Sequence, residues 1–117
     1  MATEVRRGDV VLATFPFTDL SSAKRRPALV VSASDREGPD FILAFITSKA
    51  SKPDLRDIFI DPSDPDFAAS GLRAPSLVRC GKLMTLNRAL LIGRLGVLTS
   101  PIMDKVDVAL KMALALR

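Results

Sequence analysis

The chain has 117 residues, enough for one ordinary domain and too few for two. Seventeen basic against thirteen acidic residues give +4, an excess that permits an anionic partner without demanding one. There is no histidine, which removes the usual general base and the commonest zinc ligand, and the single Cys80 excludes an internal disulfide.

With 48% hydrophobic residues a real core is available, but only 5% are aromatic, with no Trp or Tyr. Val, Leu, Ile, Ala and Phe must fill it. The opening MATEVRRGD lacks an apolar signal core, and no apolar run approaches a membrane span. One domain over 1–117 in a reducing cytoplasm is expected, with no membrane partner.

In chain order, Arg7-Gly8-Asp9 reads as a turn, followed by a strand over Val10–Phe17 in which Pro16 marks the end or an edge. A polar loop, TDLSSAKRR, leads into RRPALVVS, Arg25 to Ser32. Pro27 has no N–H for a ladder and is placed at the first residue of a strand over Ala28–Val31. Arg26, preceding proline, is pushed out of the helical region and holds a cation at the strand's mouth. Such an arginine suits a phosphate; an exposed pair flanking a core strand is the plainer alternative.

Ser34 to Pro39 is turn-like, and Phe41–Thr47 is the strongest strand by composition, ending in Thr47, Ser48 and Lys49. After a turn at Lys52–Asp54, Ile58 to Ile60 lie between aspartates as a short strand. Asp61–Pro75 is irregular, with room for one helical turn over Pro65–Ala69. Ser76–Leu86 reads as a long strand with a bulge or bend at Gly81, and Leu90–Leu95 as a shorter one. A helix then opens, with Ser100 as N-cap and Pro101 first in the helix; Ile102, Val106, Leu110, Ala113 and Leu114 make its apolar stripe. Five to seven short strands and one terminal helix predict a small, mainly β antiparallel barrel closed or covered by a C-terminal helix. Strands this apolar on both faces suggest a second copy over one of them.

Taken alone, the polar candidates stay ambiguous. Thr47 closes a strand, where Thr is favoured anyway. Ser76 reads as a strand-start hydroxyl, and Cys80, with no histidine to activate it, as an inert core thiol. Arg79 and Lys82 form either a solvated face or a basic groove with Arg25 and Arg26. Lys24, Lys49 and Lys52 are loop contacts for phosphates, and Phe17 is the candidate stacking aromatic.

The segments GDVVLATFPFTD, RRPALVVS, AFITS, GLRAPSLVRCGKLMTL and IGRLGVLTSPIMDKVDVAL together resemble, in order and spacing, the MazF/PemK family of toxin endoribonucleases. The resemblance covers nearly the whole chain. It implies an SH3-like or CcdB-like barrel, a homodimer, metal- and cofactor-independent cleavage of single-stranded RNA, and a cognate antitoxin. It also implies operator DNA as a partner of the toxin–antitoxin complex. Position by position, it makes Arg26 and Thr47 the catalytic pair. Ser76 and Arg79 match family positions in the same way, and with Phe17, Asp19, Lys24, Arg25, Ser48, Lys49 and Lys82 they are the expected RNA contacts. Some members carry an acidic residue where this chain has Gly81; some have His or Glu in the first loop, where Asp19 is the nearest carboxylate. The alternative is a non-catalytic module on the same barrel: a CcdB-like gyrase poison, or a protein that only binds antitoxin and operator DNA.

Overall fold

The computed structural model describes residues 4–15, 24–34, 37–48 and 53–117. It contains β1 (Asp9–Phe15), β2 (Lys24–Val30), β3 (Asp40–Thr47), β4 (Asp57–Ile60), α1 (Phe67–Ser70), β5 (Ser76–Asn87), β6 (Leu91–Val97) and α2 (Ser100–Leu114), with a 3-10 turn at Arg88–Leu90 before β6. The six strands form one antiparallel sheet in the order β4-β5-β3-β2-β1-β6. The expected mainly β antiparallel fold with a C-terminal helix is present. Closure differs: β4 and β6 end the sheet and share no ladder among the described residues. Instead, α2 lies against β4 and β5 while α1 seals against β6.

The two faces carry separate cores. Val10, Leu29, Ala44, Ile46, Val78 and Cys80 pack under α2 with Ile102, Val106 and Ala109. Val11, Ala13, Phe15, Ala28, Val30 and Leu43 pack on the other face, where Phe15 meets Phe45 edge-on at 4.7 Å. Strand alternation divides each run between these cores, which is why the strands read as continuously apolar. The helix begins one residue earlier than expected, with Thr99 at the cap and Pro101 inside the first turn. Its buried stripe uses Ala109, while Leu114 stays exposed.

β2 starts at Lys24, so Pro27 lies inside the strand rather than at its first residue. This is tolerated because β2 has a full partner on one side only. It pairs with β1 from Val10↔Leu29 to Phe15↔Lys24, but with β3 only at Ala28, Leu29 and Val30. Val31 N–H donates to Ile42 O at 3.0 Å, so by alternation Pro27 also faces β3, where the ladder has ended. The missing N–H therefore leaves no gap. Beyond Ala28 the two strands part.

Gly81 sits in the predicted irregularity. Ala44 and Phe45 are adjacent on β3, yet their β5 partners are Leu83 and Arg79, so Cys80 to Lys82 bulge out of register. Gly96 and Gly71 let α1 sit on β6: a Cβ on Gly96 would lie 2.2 Å from Ala69 O, and one on Gly71 2.1 Å from Leu95 O. Gly71 also takes the left-handed C-cap of α1, at φ +74°. This contact anchors the 71–76 stretch leading into β5.

Candidate active site

The split between β2 and β3 opens the site. Ala28 stands across from Phe45; Arg26 lies two residues before the one and Thr47 two residues after the other. Alternation puts Arg26, Phe45 and Thr47 on one face, and Arg79, opposite Phe45, joins them. Two cavities occupy the gap. One of about 500 Å³ is bounded by Arg25, Arg26, Pro27, Ile46, Thr47 and Ser48, with Leu72 to Ala74 and Ser76 opposite. The other, about 300 Å³, is bounded by Arg26, Pro27, Thr47 and Phe45, and reaches Arg79 and Lys82.

Arg26 and Thr47 thus wall both cavities together. Arg25, Ser48, Ser76, Arg79 and Lys82 each line at least one. Phe17, Asp19 and Lys49 lie outside the described residues, as do Lys52 and the side chain of Lys24. Ser76 is buried and its hydroxyl donates to Ala74 O at 2.8 Å, which makes it a fixed wall. Cys80 faces the α2 core instead. Burial, then the nearby Asp57 charge, push its thiol up to about 11, so it stays protonated and unreactive.

Electrostatically the gap is one-sided. Arg25, Arg26 and Arg73 line the larger cavity and Arg26, Arg79 and Lys82 the smaller, while none of the described lining residues is a carboxylate. Low-dielectric walls focus such a field on an anion. Among the described residues, no group of three Cys, Asp or Glu could hold a metal ion.

Sequence reading missed three contributors. Arg73 sits in the irregular GLRAP stretch, whose proline and glycine read only as turns. Asp57 read as the flank of a short strand, yet it stands opposite Arg79, Oδ1 3.5 Å from Nε. Arg56 lays its stem over Gly81, 3.3 Å from where a Cβ would be, and fills the space an acidic side chain would take. A further cavity of about 300 Å³ joins Arg56, Asp57, Arg79 and Lys82.

A family model for PemK-like, MazF-like toxins of type II toxin–antitoxin systems matches residues 6–114. The chain is 31% identical over 117 residues to endoribonuclease EndoA of Bacillus subtilis (strain 168), with 96% of each chain covered. A MazE–MazF complex from Deinococcus radiodurans superposes with a TM-score of 0.77 at 17% identity, covering 99% of this chain and 100% of that one. An endoribonuclease in complex with its cognate antitoxin from mycobacterial species gives 0.76 at 24% identity, covering 97% of each. At those identities the two structures establish a shared fold. No helix among the described residues is long and apolar enough to cross a membrane.

Proposed function

The chain belongs to the PemK-like, MazF-like toxins of type II toxin–antitoxin systems, and from that premise we propose that it cleaves single-stranded RNA at the gap between β2 and β3. One observation carries this reading: Arg26 and Thr47, on strands that have parted, wall the same cationic cavities. Its likeness to EndoA, itself named an endoribonuclease, supports the same activity.

The substrate carries its own nucleophile. The ribose 2′-OH attacks the adjacent phosphorus, the P–O5′ bond breaks, and the products are a 2′,3′-cyclic phosphate and a free 5′-OH. The proton leaves the 2′-OH and one is delivered to the 5′ oxygen. Negative charge builds on the non-bridging oxygens between these events. Arg26 meets that charge with a fork of donors, a stabilisation often worth roughly 3 kcal/mol per donor. A guanidinium offers N–H donors and no acceptor, which suits Arg26 to charge stabilisation rather than to acting as a base. The Thr47 hydroxyl orients a non-bridging oxygen or the 2′-OH. Arg25, Arg73, Arg79 and Lys82 hold the flanking backbone, with Ser48 and Ser76 at the wall. Lys24, Lys49, Asp19 and Phe17 belong to the same proposed surface. Chemistry of this kind uses no cofactor.

The same reading makes the chain a homodimer bound by a cognate antitoxin, and the pair a binder of operator DNA. Two structural neighbours are toxin–antitoxin complexes by description, which supports the antitoxin partner.

The test is cleavage of total RNA in excess EDTA with both ends mapped. Cyclic phosphate and 5′-OH ends, abolished by Arg26→Ala, are expected. Cleavage lost in chelator, or ends bearing 3′-OH, would overturn the scheme. Growth arrest that survives Arg26→Ala with RNA intact would make the chain a binding module.

A further inference from the structure

We propose that Phe59 is the stacking platform for one nucleobase of the RNA, seated in the small cavity between Phe59 and Thr47. The proposal rests on the RNA-cleaving reading above and adds where a base adjoining the scissile phosphate goes.

Among the described phenylalanines, Phe15 and Phe41 are buried and Phe45 and Phe67 half-buried; Phe59 alone is exposed, at 61%. Its direction is fixed by register. Thr47 pairs with Leu77, and Leu77 with Phe59, so the three side chains share one row on the face that carries Arg26 and Arg79. Two strand spacings put Phe59 about 10 Å from Thr47. Between them lies a cavity of about 210 Å³. Its floor and sides are Leu77, Phe59, Pro53 and Pro75; its hydroxyls come from Thr47, Ser48 and Ser76.

The chemistry divides at Thr47. On one side the cavities hold arginines and a lysine; on the other, none of the described lining residues is charged. A nucleotide divides the same way, into an anionic phosphate and a flat, uncharged base with polar edges. The volume is below the roughly 300 Å³ at which pockets begin to bury whole ligands, so it suits one ring system. Single-strand binders hold bases on aromatic faces, and an edge strand presents Phe59 with that face available.

The experiment uses the full chain and an oligoribonucleotide spanning a mapped cleavage site. A 2′-deoxy sugar at the attacking position keeps it intact. Phe59→Ala is expected to weaken binding roughly 5- to 100-fold, the range of one base stack. Phe59→Trp should preserve binding. Its fluorescence, in a chain without other Trp or Tyr, should be quenched by the RNA. An abasic nucleotide at one position beside the scissile bond should erase the Phe59→Ala effect. If Phe59→Ala binds RNA within twofold of wild type while Arg26→Ala abolishes cleavage, the stacking role is wrong and the nuclease reading stands. If Phe59→Ala spares RNA but loses the antitoxin, Phe59 belongs to a protein interface and the proposal falls. A wild-type chain that neither binds nor cuts RNA overturns both.

Discussion

Asp57 and Arg79 face each other across the β4–β5 ladder, Oδ1 3.5 Å from Nε, with the carboxylate 2% and the arginine 24% exposed. Asp57 Oδ2 accepts the Asp54 N–H at 2.9 Å, so its own turn holds it rigid. This ion pair restricts the rotamers of Arg79, which lines two of the cavities. Simple charge counting says that removing a carboxylate beside a basic cleft tightens RNA binding. Positioning says the opposite. Asp57→Asn is expected to weaken binding of uncleavable RNA several-fold and to have no further effect in an Arg79→Ala background. A double-mutant cycle should give about 1 kcal/mol of coupling. Tighter binding by Asp57→Asn would show that the pair is structural only.

Arg26→Ala should lower single-turnover cleavage by about 100- to 1,000-fold, the usual loss for one transition-state donor. Arg26→Lys should recover little, because a point ammonium lacks the two-pronged fit to a phosphorane. Thr47→Ser, which retains the hydroxyl, should keep more activity than Thr47→Val. If Lys restores full rate, plain charge suffices and the fork geometry is irrelevant.

The strands and their order along the chain were legible because turn residues and apolar runs punctuate the sequence: Gly8, Gly38 and Pro39 fall in turns or bends, and Gly81 in the bulge. The partners of each strand were not, since register depends on contacts distant in sequence. That is why Pro27 read as a strand start; only the one-sided pairing of β2 explains a proline four residues in. The same limit hid Asp57. Nothing near it in the chain signals Arg79, which register alone brings opposite. Arg26 and Thr47 were legible through a motif, but their meeting in one cavity depends on β2 and β3 parting beyond Ala28. Phe59 did leave a local signal: alternation between two aspartates places it on the polar side of its strand.

The Cys80 thiol should resist alkylation of the native protein at pH 8 and react freely in denaturant. Its pKa is about 11 folded, against 9.0 for an unperturbed thiol. Above pH 9 the unfolded chain loses this proton while the folded chain keeps it. The thiol's contribution is therefore complete below pH 9 and declines as pH rises towards 11. By linkage the loss approaches about 2–3 kcal/mol at the upper end. Urea unfolding at pH 8 and 10.5 should show a larger decline for wild type than for Cys80→Ala. Equal declines would place the titration elsewhere.

Gly96 and Gly93 lie three residues apart on β6 and should respond unequally to alanine. A Cβ on Gly96 would meet Ala69 O at 2.2 Å and Ser70 C at 2.5 Å, both backbone atoms that cannot swing aside. Nothing lies within 4 Å of a Cβ on Gly93. Gly93→Ala should fall within about 0.5 kcal/mol of wild type, as surface changes do. Gly96→Ala should cost about 1–3 kcal/mol or more, as overpacking does. It should also act at a distance. Relieving the clash means lifting α1 off β6, and α1 runs through Gly71 into the stretch bearing Arg73 and Ser76, which walls the larger cavity. Cleavage by folded Gly96→Ala protein, measured well below its unfolding temperature, should therefore drop along with stability. A destabilised variant with wild-type kcat/KM would uncouple this wall from the reaction.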